Sequence, residues 1–138
     1  MSQENVEIVR RLYELAPHAD WDQVKLLISR DVEIDQSRFP DGGLGHGRDE
    51  FRAFFRRWFG AWDELNIDVR RFIDLGERVV VLMRLSGRGK GSGVPATLDA
   101  ADVVTVEDGT LTRLVGYLDH REALEAAGLS EQDGQPDS

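Results

Sequence analysis

Apolar residues recur at helical spacing from the start of the chain. Val6, Val9, Leu12, Tyr13 and Ala16 mark one stripe over residues 3–16, which ends at Pro17. A second stripe, Trp21, Val24, Leu27 and Ile28, runs through "DWDQVKLLIS", with Asp20 and Gln23 placed as an N-cap and its reciprocal partner. "DVEIDQ" at 31–36 alternates and reads as a short strand, and the glycine-rich "PDGGLGHG" after it reads as a loop. The third helix, "RDEFRAFFRRWFGAW", is expected to bury Phe51, Phe54, Phe55, Trp58, Phe59 and Trp62.

After Trp62 the period changes to two. "ELNIDVRRFIDLG", "RVVVLMRLSGRG", "GVPATLDAADVVTVEDG" and "GTLTRLVGYLD" are strands bounded by glycine-containing turns, as hairpins of an antiparallel sheet require. A short last helix, "HREALEAAG", has Asp119 and Glu122 as a second capping box and Gly128 as its C-cap. Helices followed by a meander of long strands predict an α+β domain over residues 1–128, with helices packed on one face of a curved antiparallel sheet. Residues 129–138 have almost nothing to bury and are expected to be disordered.

One position breaks the strand pattern. In "TLDAADVVTVEDG", Leu98, Ala100, Val104 and Val106 share a face, and Asp102 is in phase with them. A buried carboxylate is costly unless it finds hydrogen-bond partners or takes up a proton. Asp102 therefore either faces a pocket or is a satisfied core residue bonded to an indole or a backbone amide. Asp35 falls formally on the polar face of its strand. It stands where the chain turns into the glycine-rich loop, so it is either a turn residue or a carboxylate leaning over a cavity mouth.

Composition narrows the partners. The 138 residues suffice for one domain with a core, and 41% are hydrophobic and 31% charged. A net charge of −9, from 26 acidic against 17 basic residues, argues against nucleic acid and against an anionic membrane surface. The absence of cysteine excludes disulfides, thiolate metal sites and cysteine nucleophiles. No signal peptide or membrane span is visible, so a cytoplasmic location is expected. "GGLGHGR" and "GRGKGSG" match no phosphate-binding pattern and read as turns. His18, His46 and His120 share no metal-ligand spacing, so no metal site is expected, and no serine lies in a nucleophile elbow.

The order helix, helix, short strand, "HGRDEFRAFF" helix and four-stranded meander resembles the ketosteroid isomerase and SnoaL-like polyketide cyclase families, within the nuclear-transport-factor-two-like superfamily. The resemblance covers about residues 4 to 127, through "NVEIVRRLYEL", "ADWDQVKLLISRDVEI" and "ADVVTVEDGTLTRLVGYLD". It implies a cone-shaped α+β fold, with three N-terminal helices over the concave face of the sheet. In ketosteroid isomerases a general-base Asp follows the short strand, a position that is Asp35 here. A second Asp, protonated as an oxyanion donor, lies on the penultimate strand; that position is Asp102, and this mechanism is a worked example of acidity tuning rather than a derivation from this chain. In SnoaL-like cyclases an acid at the place of Asp102 is the proton-transfer group. The isomerases' first-helix tyrosine corresponds to Leu12, with Tyr13 about 100° further round the helix. The superfamily's epoxide hydrolases carry an Arg-x-Asp pair and a last-strand Asp; neither is present, and Gly116 stands at the latter place.

On this fold the cavity is expected to be lined by Ala100, Val104, Leu114, Gly116 and Leu118, and closed by Tyr13, Trp21, Phe54, Phe55 and Trp58. An apolar pocket with one or two polar groups suits a hydrophobic small molecule carrying a carbonyl. Two functions follow. One is cofactor-free acid/base catalysis, isomerisation or aldol cyclisation, by Asp35 and Asp102. The other is a non-catalytic module that binds a hydrophobic ligand or serves as a dimer scaffold. The resemblance implies a homodimer through the outer face of the sheet, where Val103 and Val115 point.

Overall fold

In the computed structural model, which describes residues 2–18, 20–40 and 42–134, the helical stripe at the start forms α1 (Ser2–Leu15). Its buried positions, Val9, Leu12 and Ala16, follow helical spacing, and a 3-10 turn (Ala16–His18) ends it where Pro17 removes a donor. The second helix is shorter than its apolar stripe suggests. Asp20 accepts from the Gln23 amide as expected, but α2 spans only Trp21–Val24 and tightens into a 3-10 turn at Lys25–Leu27. Ile28 already begins β1 (Ile28–Asp35), and its side chain is buried from that strand.

The glycine-rich segment is not wholly a loop. It contains β2 (Leu44–His46), antiparallel to β1 with Glu33 opposite His46. Gly47, at a φ of 89° open mainly to glycine, turns the chain into α3 (Arg48–Gly60). Glu50 reaches back from the first turn of α3 to accept from the His46 amide at 2.6 Å. Of the six aromatics around α3, only Phe51 is fully buried; the other five keep partial exposure. Phe54, Phe55 and Trp58 pack against the core while keeping part of their surface open.

The meander follows as β3 (Trp62–Leu75), β4 (Arg78–Gly89), β5 (Pro95–Glu107) and β6 (Thr110–Tyr117). The six strands form one open sheet in the order β2-β1-β6-β5-β4-β3. It is mixed rather than purely antiparallel, because β1 runs parallel to β6, with Ile34 beside Leu114 and Asp35 beside Val115. Register shifts in β3 between Asp63 and Asn66, and between Val69 and Arg71, are bulges of the kind that bend a strand and curve its sheet.

Both faces of the sheet are covered. On the concave face Val79, Val81, Met83, Ala100, Val104 and Leu114 pack with Val9 and Leu12 of α1 and Phe51 of α3. On the convex face Val80, Leu82, Ala101, Val103 and Val115 pack with Ala123, Leu124 and Ala127, from and just after α4 (His120–Ala126). Burial on both sides explains why residues 79–83 are continuously apolar. It also corrects the placement of Val103 and Val115. They are 8% and 9% exposed beneath the last helix and offer no free outer face to a second copy.

Asp119 caps α4 by accepting from the Arg121 amide, whereas Glu122 is drawn away to Arg38 and does not complete the box. Gly128, at a φ of 81°, ends the helix. A 3-10 turn occupies Glu131–Gly134, tied by Ser130 N–H and O–H to the Asp133 carboxylate; the remaining tail expectation, for 135–138, lies outside the described residues. No helix among the described residues is long and apolar enough to cross a membrane.

Candidate functional site

The antiparallel register of β5 sets Asp102 between Val81 of β4 and Gly116 of β6, and the Asp102 and Val81 side chains share the concave face. The carboxylate therefore points under the helices. Tyr13 on α1 meets it there, its hydroxyl donating to Asp102 Oδ2. Leu12, one residue earlier, is fully buried and packs into the core, so the helix presents Tyr13 rather than Leu12 to the carboxylate. The opening puzzle of an acid in phase with apolar residues has its answer in that phenol. Asp102 is neither an indole-bonded nor an amide-bonded core residue.

Burial pushes the Asp102 acidity constant up to about 6, although the hydrogen bond from Tyr13 pulls in the opposite direction. Burial, the nearby Asp102 charge and the shared hydrogen bond together hold the Tyr13 phenol well above its ordinary value. Near neutral pH the pair is thus a protonated phenol donating to a carboxylate that readily takes up a proton. This differs from a permanently protonated oxyanion donor.

The pair lines a small inner chamber of about 60 Å³. Of the residues expected there, Tyr13, Phe54, Phe55, Trp58, Ala100 and Leu114 are present. Leu12, Ala16, Phe59, Ile67, Met83 and Leu85 complete the apolar wall, and Gln36 and Phe39 enter from the loop after β1. A wider outer chamber of about 400 Å³ adjoins it, sharing Gln36, Phe39, Phe54 and Trp58. Its mouth is formed by Trp62, by Arg57 at the end of α3, and by Val94 and Ala96 of the β4–β5 hairpin. The two together make an apolar funnel that narrows onto one ionisable pair.

Four expected residues do not join it. Val104 is fully buried in the core behind the chamber. Trp21 faces a separate groove beside Pro17 and Val24, with the Arg52 guanidinium 5.4 Å above its ring. Leu118 lines neither chamber. Gly116 borders the site only as backbone, since a Cβ there would lie 2.5 Å from Gln36 Oε1 and 2.6 Å from Phe39. Its missing side chain is the space those two residues fill.

Asp35 is the larger departure. Its partner in the parallel register is Val115, a convex-face residue, so its carboxylate is on the opposite side of the sheet from Asp102. There it accepts from the Ser37 amide at 3.0 Å and the Ser37 hydroxyl at 2.6 Å, with Arg38 at 3.8 Å. Partial burial pushes its acidity constant up, but the Ser37 bonds and the charges of Arg38 and Arg113 outweigh that, and the net effect is downward. Asp35 is a turn residue beside a recess lined by Glu33, His46, Glu50 and Arg113. The structure does not bring it together with Asp102.

Gln36 carried no signal of its own in the sequence. A single aromatic within an otherwise polar, glycine-rich loop was the one hint that the loop folds inward. Of the histidines, His46 is exposed 3.8 Å from Asp31, and His120 donates from Nε2 to the Met83 carbonyl at 2.9 Å. The His18 side chain lies outside the described residues. Among the described residues, no group of three His, Asp or Glu is placed to hold a metal ion.

Known structures share this fold. An NTF2-like protein of unknown function from Burkholderia pseudomallei is 30% identical, with a TM-score of 0.74 over 91% of this chain and 97% of that one. TerC, co-crystallised with polyporic acid, is 25% identical, with a TM-score of 0.72 over 84% and 92%. A SnoaL-like polyketide cyclase from Jannaschia sp. has a TM-score of 0.77 over 86% and 88% at 22% identity, a likeness of fold alone. No curated protein matches the chain. The sheet and helices are those of the NTF2-like α+β cone. The SnoaL-like domain family model matches residues 9–114, and the chain belongs to that family.

Proposed function

We propose that the protein is an acid/base enzyme acting on a hydrophobic carbonyl compound, with Asp102 as its proton-transfer group. The observation that carries this reading is the Tyr13–Asp102 pair at the narrow end of an apolar funnel, its carboxyl tuned to about 6. An acid/base group works best when its acidity constant lies near the working pH. Asp102 would take a proton from the carbon beside the carbonyl. The C–H electron pair then forms the enolate double bond, and the carbonyl oxygen becomes the negative centre. Return of the proton at a different carbon is an isomerisation; attack of the enolate on a second carbonyl is an aldol cyclisation. Tyr13 holds the carboxylate in place throughout.

A ligand of ordinary size does not fit the inner chamber whole. Typical small-molecule sites run to roughly 300–1,000 Å³, which the outer chamber meets and the inner one does not. The body of the substrate would therefore lie against Trp58, Trp62 and Phe39, with only its reacting end near Asp102. The co-crystal of the relative TerC with polyporic acid supports an organic ligand of comparable nature.

The test is carboxyl-carbon NMR titration of Asp102, assigned with Asp102→Asn, followed by solvent-deuterium exchange into hydrophobic ketones. A value near 6 that rises in Tyr13→Phe, with exchange abolished in Asp102→Asn, is expected. An ordinary or depressed value, or exchange indifferent to Asp102, would leave the second reading, a ligand-binding module. That reading draws on the position of Asp35, which leaves the funnel with one titrating pair rather than two separate carboxylates. The homodimer implied by family resemblance would need a surface other than Val103 and Val115. Sedimentation showing only monomer at micromolar concentration would remove it.

A further inference from the structure

We propose that Gln36 is the residue that binds the ligand's carbonyl oxygen, so that the site recognises ketones through a side-chain amide at the neck of the funnel. This rests on the reading of the funnel as a substrate site and names the group that would hold the substrate's polar end.

Three observations converge on Gln36. It lines both chambers and so stands where one opens into the other. Its amide packs over the Cα of Gly116, the cross-strand partner of Asp102, which makes it the carboxylate's neighbour across the sheet. Its side chain makes no hydrogen bond within the described residues, yet no polar side-chain atom there is both buried and unpartnered. The amide therefore reaches the space of the cavity, and a ligand can use it.

The surrounding chain holds it there. The Gln36 backbone N–H donates to the Gly43 carbonyl at 2.8 Å, and its backbone carbonyl accepts from Phe39 N–H at 3.0 Å. The side chain thus projects from a pinned turn, with Phe39 packed edge-on against Trp58, their ring centres 5.2 Å apart. A polar group preset in an apolar wall recognises a carbonyl at little ordering cost. When Asp102 removes the neighbouring proton, the charge that develops falls on the oxygen, where an N–H donor stabilises it. Tyr13 is committed to Asp102; of the side chains that line both chambers, Gln36 and Trp58 carry an N–H, and Gln36 is the one packed against Gly116, the cross-strand partner of Asp102.

The experiment compares two probes of similar shape, 2-acetylnaphthalene and 2-ethylnaphthalene, binding to wild type and Gln36→Leu. Loss of one hydrogen bond corresponds to about a tenfold rise in Kd. We expect that rise for the acetyl probe and none for the ethyl probe. Gln36→Glu, which keeps the shape but replaces the N–H donors with a carboxyl, is expected to show the same selective loss and covers the case in which the leucine variant does not fold. Equal weakening of both probes would make Gln36 a packing wall, and no change in either would make it a bystander; either result overturns the proposal. Failure of both probes to bind wild type overturns it together with the funnel reading. An Asp102 value near 6 without acetyl selectivity at Gln36 overturns the role of Gln36 alone.

Discussion

At the scale of single residues, Asp102 is maintained at a cost that pH can reveal. Its acidity constant is 3.8 in an unstructured environment and about 6 in the fold, so between these values the folded chain holds a proton that the unfolded chain has released. Its contribution to stability is complete below pH 3.8 and is lost as pH rises through 6. The full change corresponds to about 3 kcal/mol, an upper figure because the carboxyl is only half-buried. Asp102→Asn, which can still accept from Tyr13, is therefore expected to flatten this part of the stability profile. Urea denaturation at pH 4, 5, 6 and 7 measures it. A wild-type minus mutant difference that stays constant across that range would show that the carboxyl is not desolvated.

At the scale of elements, the short strand and the loop after it decide which carboxylate does what. β1 places Ile34 on the concave face beside Leu114, so Asp35 is committed to the other face by the pleat alone. One residue later the chain leaves the strand, and Gln36 is free to turn back into the cavity. The Asp35 bonds to Ser37 hold that turn. Asp35→Ala is expected to cost about 1 kcal/mol, the usual net worth of such bonds, while leaving the Asp102 titration unmoved. A shift of the Asp102 curve in that variant would place Asp35 in electrical contact with the chamber after all. The face assignment was available from alternation in "DVEIDQ"; the inward turn of Gln36 was not, because it depends on Gly116 lacking a side chain on a strand 80 residues away.

At the scale of the whole molecule, the sheet is a partition between a hollow side and a filled side. The concave face is left incompletely packed by α3, where Phe54, Phe55, Trp58 and Phe59 stay partly exposed and line the inner chamber, whereas the convex face is sealed by α4. Arg38 ties the turn after β1 to the convex side. It bonds to Glu122 of α4 at 2.9 Å, lies 4.4 Å over the Tyr117 ring, and emerges from the same turn that carries Gln36. Leu124, 2% exposed in the convex cluster, is expected to cost about 2–5 kcal/mol on replacement by alanine, as buried leucines do. Chemical denaturation reads this directly. A loss well under 1 kcal/mol would show that α4 is a loosely held appendage and would return Val103 and Val115 to the surface.

The pattern of the chain by itself determined α1, α3, α4, the four long strands and the anomaly at Asp102, all of which rest on periodicity and local chemistry that short-range sequence carries. The family came from resemblance in the order of those elements. The sequence also ruled out disulfide and thiolate chemistry through the absence of cysteine. Only the tertiary structure decided that Tyr13, 89 positions away, holds Asp102, and that Asp35 is on the far side of the sheet. Only it revealed that β1 runs parallel to β6 and that Gln36 fills the space over Gly116. The reason is physical. A face or a cap is set by neighbours within a few residues, but a cavity exists only between elements, and its lining is chosen by register and crossing geometry that no single segment encodes.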